Sequence, residues 1–290
     1  MQSASAKVAP NIEATYGVTG DTAAGEISSA VESLKGVHVP INTQGSSSGH
    51  AVGDLGEQIV GRVLREKFPG RIYSPEDVLN AELRANVDVS ATKREQLFGS
   101  TVSQVALTDR RNLARWSPET PFVKGQHDTA DLIFFAPGHA RVLDGQYALL
   151  DVKTTNLDKN SQPPNIISAK KLYRIAEEAL ATGSVPFDLT YVFVGHRGAT
   201  SGTLSIANSR VVSMFKIAAP LYINWGAGAQ IQFHASDVDQ DFEATPLEWC
   251  RHFLTTFIDS EAADVGKRTA KHLRNKERVA QLLTQPQTLF

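Results

Sequence analysis

The sequence predicts a mixed α/β fold, a central sheet flanked by helices. Three observations carry it. DLIFF (131–135) and YALLDVK (147–153) are short apolar runs divided by the turn-rich loop PGHARVLDG. An amphipathic helical stretch starts near Ser168, with Leu172, Ile175, Ala179 and Leu180 on one side, and the apolar strand DLTYVFVG (188–195) follows it. Strand, strand, helix, strand is the order of a mixed α/β core.

Taken from the start, residues 1 to about 25 are rich in Ala, Ser, Thr and Gly without apolar periodicity, the signature of a loosely held arm. INTQGSSSGH (41–50) reads as a Gly/Ser loop. It leads into a helix in which Val52, Leu55, Ile59, Val63 and Leu64 recur at three to four residue spacing. Residues 76–115 look mainly helical, with Lys93, Arg94, Arg110, Arg111 and Arg115 scattered over a solvated face. The two strands come next and are expected to pair as a hairpin. KNSQPP is a polar loop before the Ser168 helix, and AQIQFH (229–234) is a further strand. Thr245, Pro246 and Glu248 then supply an N-cap, an N1 proline and an N3 acid for a helix bearing Trp249, Phe253 and Phe257. The last segment, 267–283, is a basic helix that either tracks phosphates or forms a solvated face.

With 290 residues, 41% of them hydrophobic and 21% charged, the chain can bury a large core and is neither wholly disordered nor fibrous. A net charge of -2 offers nucleic acid no global attraction, so any such binding must use a local basic surface. The single cysteine, Cys250, excludes an internal disulfide framework and a four-cysteine zinc site. A reducing cytoplasm is the expected compartment, since the N-terminus carries no apolar leader and no run approaches a membrane span.

Chemistry concentrates at 131 and 151–153. Side chains alternate along a strand, so Asp151 and Lys153 share one face while Leu150 and Val152 take the other. A hairpin would carry Asp131 to Asp151, making a two-carboxylate oxygen site suited to Mg²⁺. Two acids with a lysine suit phosphodiester hydrolysis, which needs charge stabilisation on the scissile phosphate, a water made nucleophilic and protonation of the leaving oxygen. Lys153 would hold or deprotonate that water or offset charge on the phosphate. Glu57, on the 52–64 helix, is either an outer acid of the site or a solvent-facing glutamate. Alone, the spacing is more often a surface salt bridge. An acid and a lysine ending an apolar strand ahead of polar TTN favour a working site.

Five blocks then resemble the HincII/HindII family of type II restriction endonucleases, within the wider PD-(D/E)xK nuclease fold. They are SGHAVGDLGEQIV (48–60), HDTADLIFF (127–135), LLDVKTTN (149–156), PNIISAKKL (164–172) and LYINWGAGAQIQFHASDVDQ (221–240), in family order. The resemblance implies a restriction-endonuclease-like core and a homodimer that clasps duplex DNA. It also implies blunt cuts at GTYRAC or a related site, with Mg²⁺ held at Asp131 and Asp151. Lys153 matches the family's catalytic lysine, Thr154 a position near the phosphate and Gln162 a side chain inserted between bases. Asn165 matches a reader of base edges, and Asn224 and Gly226 fall in the main major-groove loop. Asn and Gln amides suit an adenine edge, although Asn165 equally fits a helix N-cap and Asn224 a turn. A cognate DNA methyltransferase is implied as a genetic partner. The organisation expected is a partly flexible N-terminal arm at 1–40 and one endonuclease domain at 41–290. Its catalytic core would span about 125–240, with C-terminal helices behind it.

Other patterns are weaker. GSSSG (45–49) lacks the strand that a nucleophile elbow needs. The histidines show no H-E-x-x-H, GHRG (195–198) lacks the rest of a phosphate loop, and Cys250 reads as a core thiol. A repair or junction nuclease on the same core, or a DNA-binding module that does not cut, would keep much of this pattern. A ladder of discrete fragments would separate the first reading from both.

Overall fold

The computed structural model describes residues 23–40, 48–85 (side chains from 52), 107, 115–123, 129–142, 146–159, 162–185, 187–198, 202–218 and 221–284. Its elements are α1 (Ala23–Glu32), β1 (His38–Pro40), α2 (Ser48–Lys67), β2 (Ile72–Tyr73) and α3 (Pro75–Ala85). They continue with β3 (Leu132–Phe135), β4 (Tyr147–Asn156), β5 (Asn165–Ser168), α4 (Ala169–Thr182), β6 (Phe187–Arg197) and β7 (Thr203–Ser213). The last are β8 (Ile223–Asn224), β9 (Gln230–Gln232) and α5 (Pro246–Thr284). Six strands form one sheet in the order β1-β7-β6-β4-β3-β2, and β5-β9-β8 form a second, small one. The large sheet is mixed, because β4 and β6 are parallel while the other pairs are antiparallel. This is the expected mixed α/β architecture.

Alternation along the central strands builds the two layers around the sheet. Ala148, Leu150, Val192 and Val194 face a core shared with Ile27, Val31, Val60 and Leu64 of α1 and α2. Tyr147, Leu149, Tyr191 and Phe193 face the other core, with Leu172 and Ile175 of α4, Trp249 and Phe253 of α5, and Ile231 of the small sheet. Leu150 and Phe134 are fully buried. Truncating such a side chain to alanine costs about 2–5 kcal/mol.

Arg71, just before β2, ties α1 to β3 at one edge. Its guanidinium pairs with Glu26 of α1, its Nε donates to the Phe135 carbonyl at 2.7 Å, and it lies 4.2 Å over the Phe134 ring. That explains why part of the expected N-terminal arm is not an arm. Within 1–40, residues 23–40 form α1 and β1, with Ala23, Ile27, Ala30, Val31 and Leu34 buried. Residues 1–22 lie outside the described residues, as do 41–47 of the Gly/Ser loop. Ser48 to His50, read as the end of that loop, already belong to α2. Of the expected 76–115 helical region, α3 is described, and Lys93, Arg94, Arg110 and Arg111 fall outside the described residues.

α5 begins as the Thr-Pro-x-Glu pattern anticipates. The Thr245 N–H donates to Glu248 Oε2 at 2.8 Å, and the Glu248 N–H donates back to Thr245 Oγ1 at 3.3 Å. Two C-terminal helices were expected, and a single helix of 39 residues replaces them. No Pro or Gly-rich break separates Phe257 from the basic segment, and lone Gly266 does not interrupt it.

Candidate active site

Strand β3 is shorter than its partner β4, and the site arises where it stops. Pairing runs from Phe135↔Tyr147 to Leu132↔Leu150. β4 continues to Asn156 beside β6, with the register running to Asn156↔His196. Among the described residues, 151–156 therefore have one edge without a strand partner, and they change from buried to half-buried at Asp151. Asp131, just before β3, bridges the step. Its N–H donates to the Leu150 carbonyl at 2.8 Å, and its Oδ2 accepts from the Val152 N–H at 2.8 Å. A side-chain carboxylate thus takes the place of the next ladder acceptor.

That geometry sets Asp131 against Asp151. The Asp151 side chain is only 14% exposed and pairs with Lys153 Nζ at 2.7 Å. Burial is the main force raising the Asp151 pKa, and the neighbouring Asp131 carboxylate adds to it. The Lys153 cation opposes both, and the balance leaves Asp151 at about 7. A site that penalises a second negative charge is one that a divalent cation would relieve. Among the described residues no group of three or more His, Cys, Asp or Glu side chains gathers. Two carboxylates with the remaining positions left to water and substrate is nevertheless a Mg²⁺-type donor set.

Tyr191, which sequence reading passed over, faces Asp151 across the β4/β6 pair. Burial and the nearby acids push its phenol pKa well up. Its hydroxyl is buried without a hydrogen-bond partner among the described residues. Only the parallel pairing of β4 with β6 reveals this neighbour, and no local motif encodes it.

Thr154 points to the opposite face, beneath α2. A Cβ on Gly56 would come closer than 3.0 Å to its Cγ2 methyl, so the absence of a side chain at 56 lets the helix sit down on the strand. Glu57 follows on the same helix and is half-buried. The structure thus joins Asp131, Asp151 and Lys153 directly, and brings the helix of Glu57 against the strand of Thr154.

The other sequence candidates assemble on the small sheet. Asn165 of β5 and Gln232 of β9 are register partners, and the Gln232 Nε2 donates to Asn165 Oδ1 at 2.6 Å. Asn224 of β8 donates from Nδ2 to Gln232 Oε1 at 2.9 Å. Three amides from three strands therefore form one hydrogen-bonded row, with Gln232 as the middle member that sequence reading missed. Its signal was the alternation in AQIQFH, which puts both glutamines on one face. The helix-cap reading of Asn165 does not hold, because the N-cap of α4 is Ser168. Asn224 also serves the turn. Its Oδ1 accepts from the Ala227 N–H at 3.1 Å, which shapes the exposed turn holding Gly226. Gln162 is exposed in the loop ahead of Asn165.

The Phe193 and Phe233 rings, with centroids 5.8 Å apart, link this row to the sheet beside β4. Phe193 is level with Lys153 on β6, and Phe233 follows Gln232. Cys250 is a core thiol as expected, its pKa pushed up to about 12 by burial. The GHR of GHRG is strand β6 itself rather than a phosphate loop. No helix among the described residues is long and apolar enough to cross a membrane.

A family model described as restriction endonuclease HincII matches residues 30–277. The type II restriction enzyme HindII of Haemophilus influenzae strain Rd is 32% identical over 228 residues, 78% of this chain and 86% of that protein. The type II restriction enzyme HincII of Haemophilus influenzae is likewise 32% identical over 228 residues, with the same coverage of each chain.

Proposed function

This chain belongs to the HincII restriction endonuclease family, and from that premise we propose that it cuts duplex DNA in a Mg²⁺-dependent reaction at Asp131, Asp151 and Lys153. The observation that carries the reading is the meeting of those three side chains at the edge where β3 ends and β4 runs on. The proposed site is GTYRAC or a close relative, cut to blunt ends by a homodimer whose two-fold symmetry matches that of the DNA. A cognate methyltransferase would protect the host's own copies.

Asp131 and Asp151 would hold the metal. Asp131 is oriented for this by the Val152 N–H, which fixes its Oδ2 and holds the carboxylate beside Asp151. When bound, Mg²⁺ supplies positive charge to the scissile phosphate and lowers the pKa of water. Lys153 shares a strand face with Asp151, and its ammonium donates to the attacking water and to the phosphate oxygens as charge builds there. Thr154 holds the strand's other face against α2, so the reacting groups sit on a braced element rather than a loop. Asn165, Gln232 and Asn224 present amide donors and acceptors for base edges. The Gly226 turn lets backbone approach the groove, and Gln162 reaches from the neighbouring loop. Glu57 supports the site from α2.

The test is plasmid cleavage with and without Mg²⁺, beside Asp151→Ala and Lys153→Ala, with fragment ends sequenced by run-off. Discrete blunt fragments are expected from the wild type with Mg²⁺, and each variant should lose at least about 10²-fold in rate. Equal cutting by the variants, or no cutting on any DNA, refutes the assignment.

A further inference from the structure

The outer half of α5 serves nothing yet described. From Val265 to Thr284 every residue is exposed, so about 30 Å of helix projects beyond the body. Its root is well anchored. Phe257 packs against Tyr173, with ring centroids 4.8 Å apart, and against Trp225 at 5.6 Å. The Trp225 indole N–H donates to Ser260 Oγ at 2.9 Å. Trp225 lies between Asn224 and Gly226, so the projecting helix grows out of the packing directly behind the turn assigned to DNA.

Charge on that projection is concentrated and ordered. Residues 267–278 carry six Lys or Arg against one Glu, a net +5 in a chain of net -2, which leaves all other residues together at -7. Lys267, Lys271, Arg274 and Arg278 follow at spacings of four, three and four, which aligns them on one face of the helix. None of the four is in an ion pair among the described residues, whereas Arg268, off the stripe, pairs with Asp264 at 2.6 Å. The stripe is about 16 Å long, a length of duplex axis that carries about ten phosphate charges.

We propose that the outer half of α5 binds the phosphate backbone of DNA flanking the recognition site, through Lys267, Lys271, Arg274 and Arg278. The inference rests on the endonuclease reading, since DNA held at the Asn224 turn is the polyanion that the root of this helix meets. A second copy of the chain is the competing occupant, through the opposite face with Val265, Leu273 and Leu283, which are 56%, 52% and 80% exposed. Thr269, His272 and Lys276 interrupt that face, so it lacks the unbroken heptad seam of a coiled coil. The basic face has no such interruption.

The test uses the full-length protein and its Lys267→Gln, Lys271→Gln, Arg274→Gln, Arg278→Gln quadruple variant. Binding is measured from 50 to 250 mM salt on two duplexes holding the site mapped from plasmid fragments, one ending close to the site and one with long flanks. All four positions are exposed, and Gln keeps helix propensity near that of Lys and Arg. On the long duplex the variant should lose at least tenfold in affinity, and its log K against log salt slope should shrink by about 3 to 4, near 0.9 per phosphate contact. On the short duplex the two proteins should bind alike. An unchanged slope on the long duplex, or an equal loss on both, overturns the proposal. So does a Val265→Ser, Leu273→Ser variant that changes the mass by light scattering while the quadruple variant binds like wild type. If the wild type neither binds nor cuts any site, the endonuclease reading fails and takes this inference with it. If the wild type cuts and the quadruple variant matches it on the long duplex, this inference fails alone.

Discussion

Gly56 and Thr154 form a contact whose energy follows from one atom. A Cβ at 56 would lie within 3.0 Å of Thr154 Cγ2, while the next nearest atoms, Thr154 Cβ at 3.9 Å and Val152 Cγ1 at 4.0 Å, are ordinary neighbours. Gly56→Ala should therefore pay an overpacking cost of about 1–3 kcal/mol. Against that stands about 1 kcal/mol gained by replacing a mid-helix glycine. The net expectation is a loss of up to about 2 kcal/mol in the wild-type background. Thr154→Ser deletes the Cγ2 methyl alone and keeps the hydroxyl. In that background Gly56→Ala should stabilise by about 1 kcal/mol, because only the helix propensity gain remains. The coupling between the two positions should thus be about 1–3 kcal/mol. Urea unfolding of the four proteins in EDTA, followed by circular dichroism with a constant m-value, measures it. An effect of Gly56→Ala that agrees within about 0.5 kcal/mol in the two backgrounds would mean that the methyl does not set the packing of α2 on β4.

Three further expectations follow from the same geometry. Asp151 at about 7 in the folded chain lies above its ordinary 3.8, so its neutral form is favoured by folding. Its contribution to stability is therefore full below pH 3.8 and is lost as pH rises through about 7. The ceiling is about 4 kcal/mol, less in practice because Asp151 retains some exposure and the Lys153 pair. Without divalent metal, Asp151→Asn should raise Tm at pH 8 more than at pH 5, and Mg²⁺ should stabilise the wild type more at pH 8. A pH-independent difference between the two proteins refutes this. Gln232→Ala breaks both bonds of the amide row. It should lower kcat/KM on the cognate site by about 5- to 150-fold, equivalent to about 1–3 kcal/mol, with little change in Tm, narrowing the gap to a site altered at one base. A fall in Tm with discrimination intact would make the row a purely structural brace. Thr245→Ala removes both side-chain hydrogen bonds of its hydroxyl at the start of α5 and should cost about 1 kcal/mol in urea unfolding. An unchanged midpoint would mean that the Trp249 and Phe253 packing alone fixes that end.

Much of this was legible because the signals were local. The Asp-x-Lys face needed only the two-residue period of a strand, and the capping box at Thr245 needed only four residues. The elements missed were those whose reason lies in tertiary packing. α1 carries Ala23, Ile27, Ala30 and Val31 among serines and glutamates, a pattern too mild to announce a helix until the sheet is there to receive it. β7 reads TLSIANSRVVS, and its polar residues are intelligible only as a strand between β1 and β6. β5 and β8 are four and two residues long, and their pairing with β9 defines them more than any propensity does. Gln232 was hidden for the same reason. Asn165 and Asn224 are 59 positions apart in the chain, and only the small sheet shows that a third amide joins them.

The triplet of Asp131, Asp151 and Lys153 was readable as a list of residues but not as a site, and the difference is the length of β3. Had β3 begun two residues earlier, regular pairing would have continued past Leu150 along β4. Val152 would then donate to a backbone carbonyl, and Asp131 would be one more strand residue whose side chain stands off the sheet. Instead the strand stops at Leu132, and the Asp131 carboxylate completes the ladder through Oδ2 while its charge acts on neighbouring Asp151. A single hydrogen bond in the sheet plane thereby positions the acid. The cost is a half-buried pair of like charges, offset in part by Lys153. Asp131→Asn tests this division of labour, because an amide oxygen still accepts from the Val152 N–H while the charge is gone. The variant should keep the wild-type fold, lower the Asp151 pKa and lose cleavage. Loss of stability equal to that of Asp131→Ala would show instead that the charge, and not the ladder bond, holds the turn.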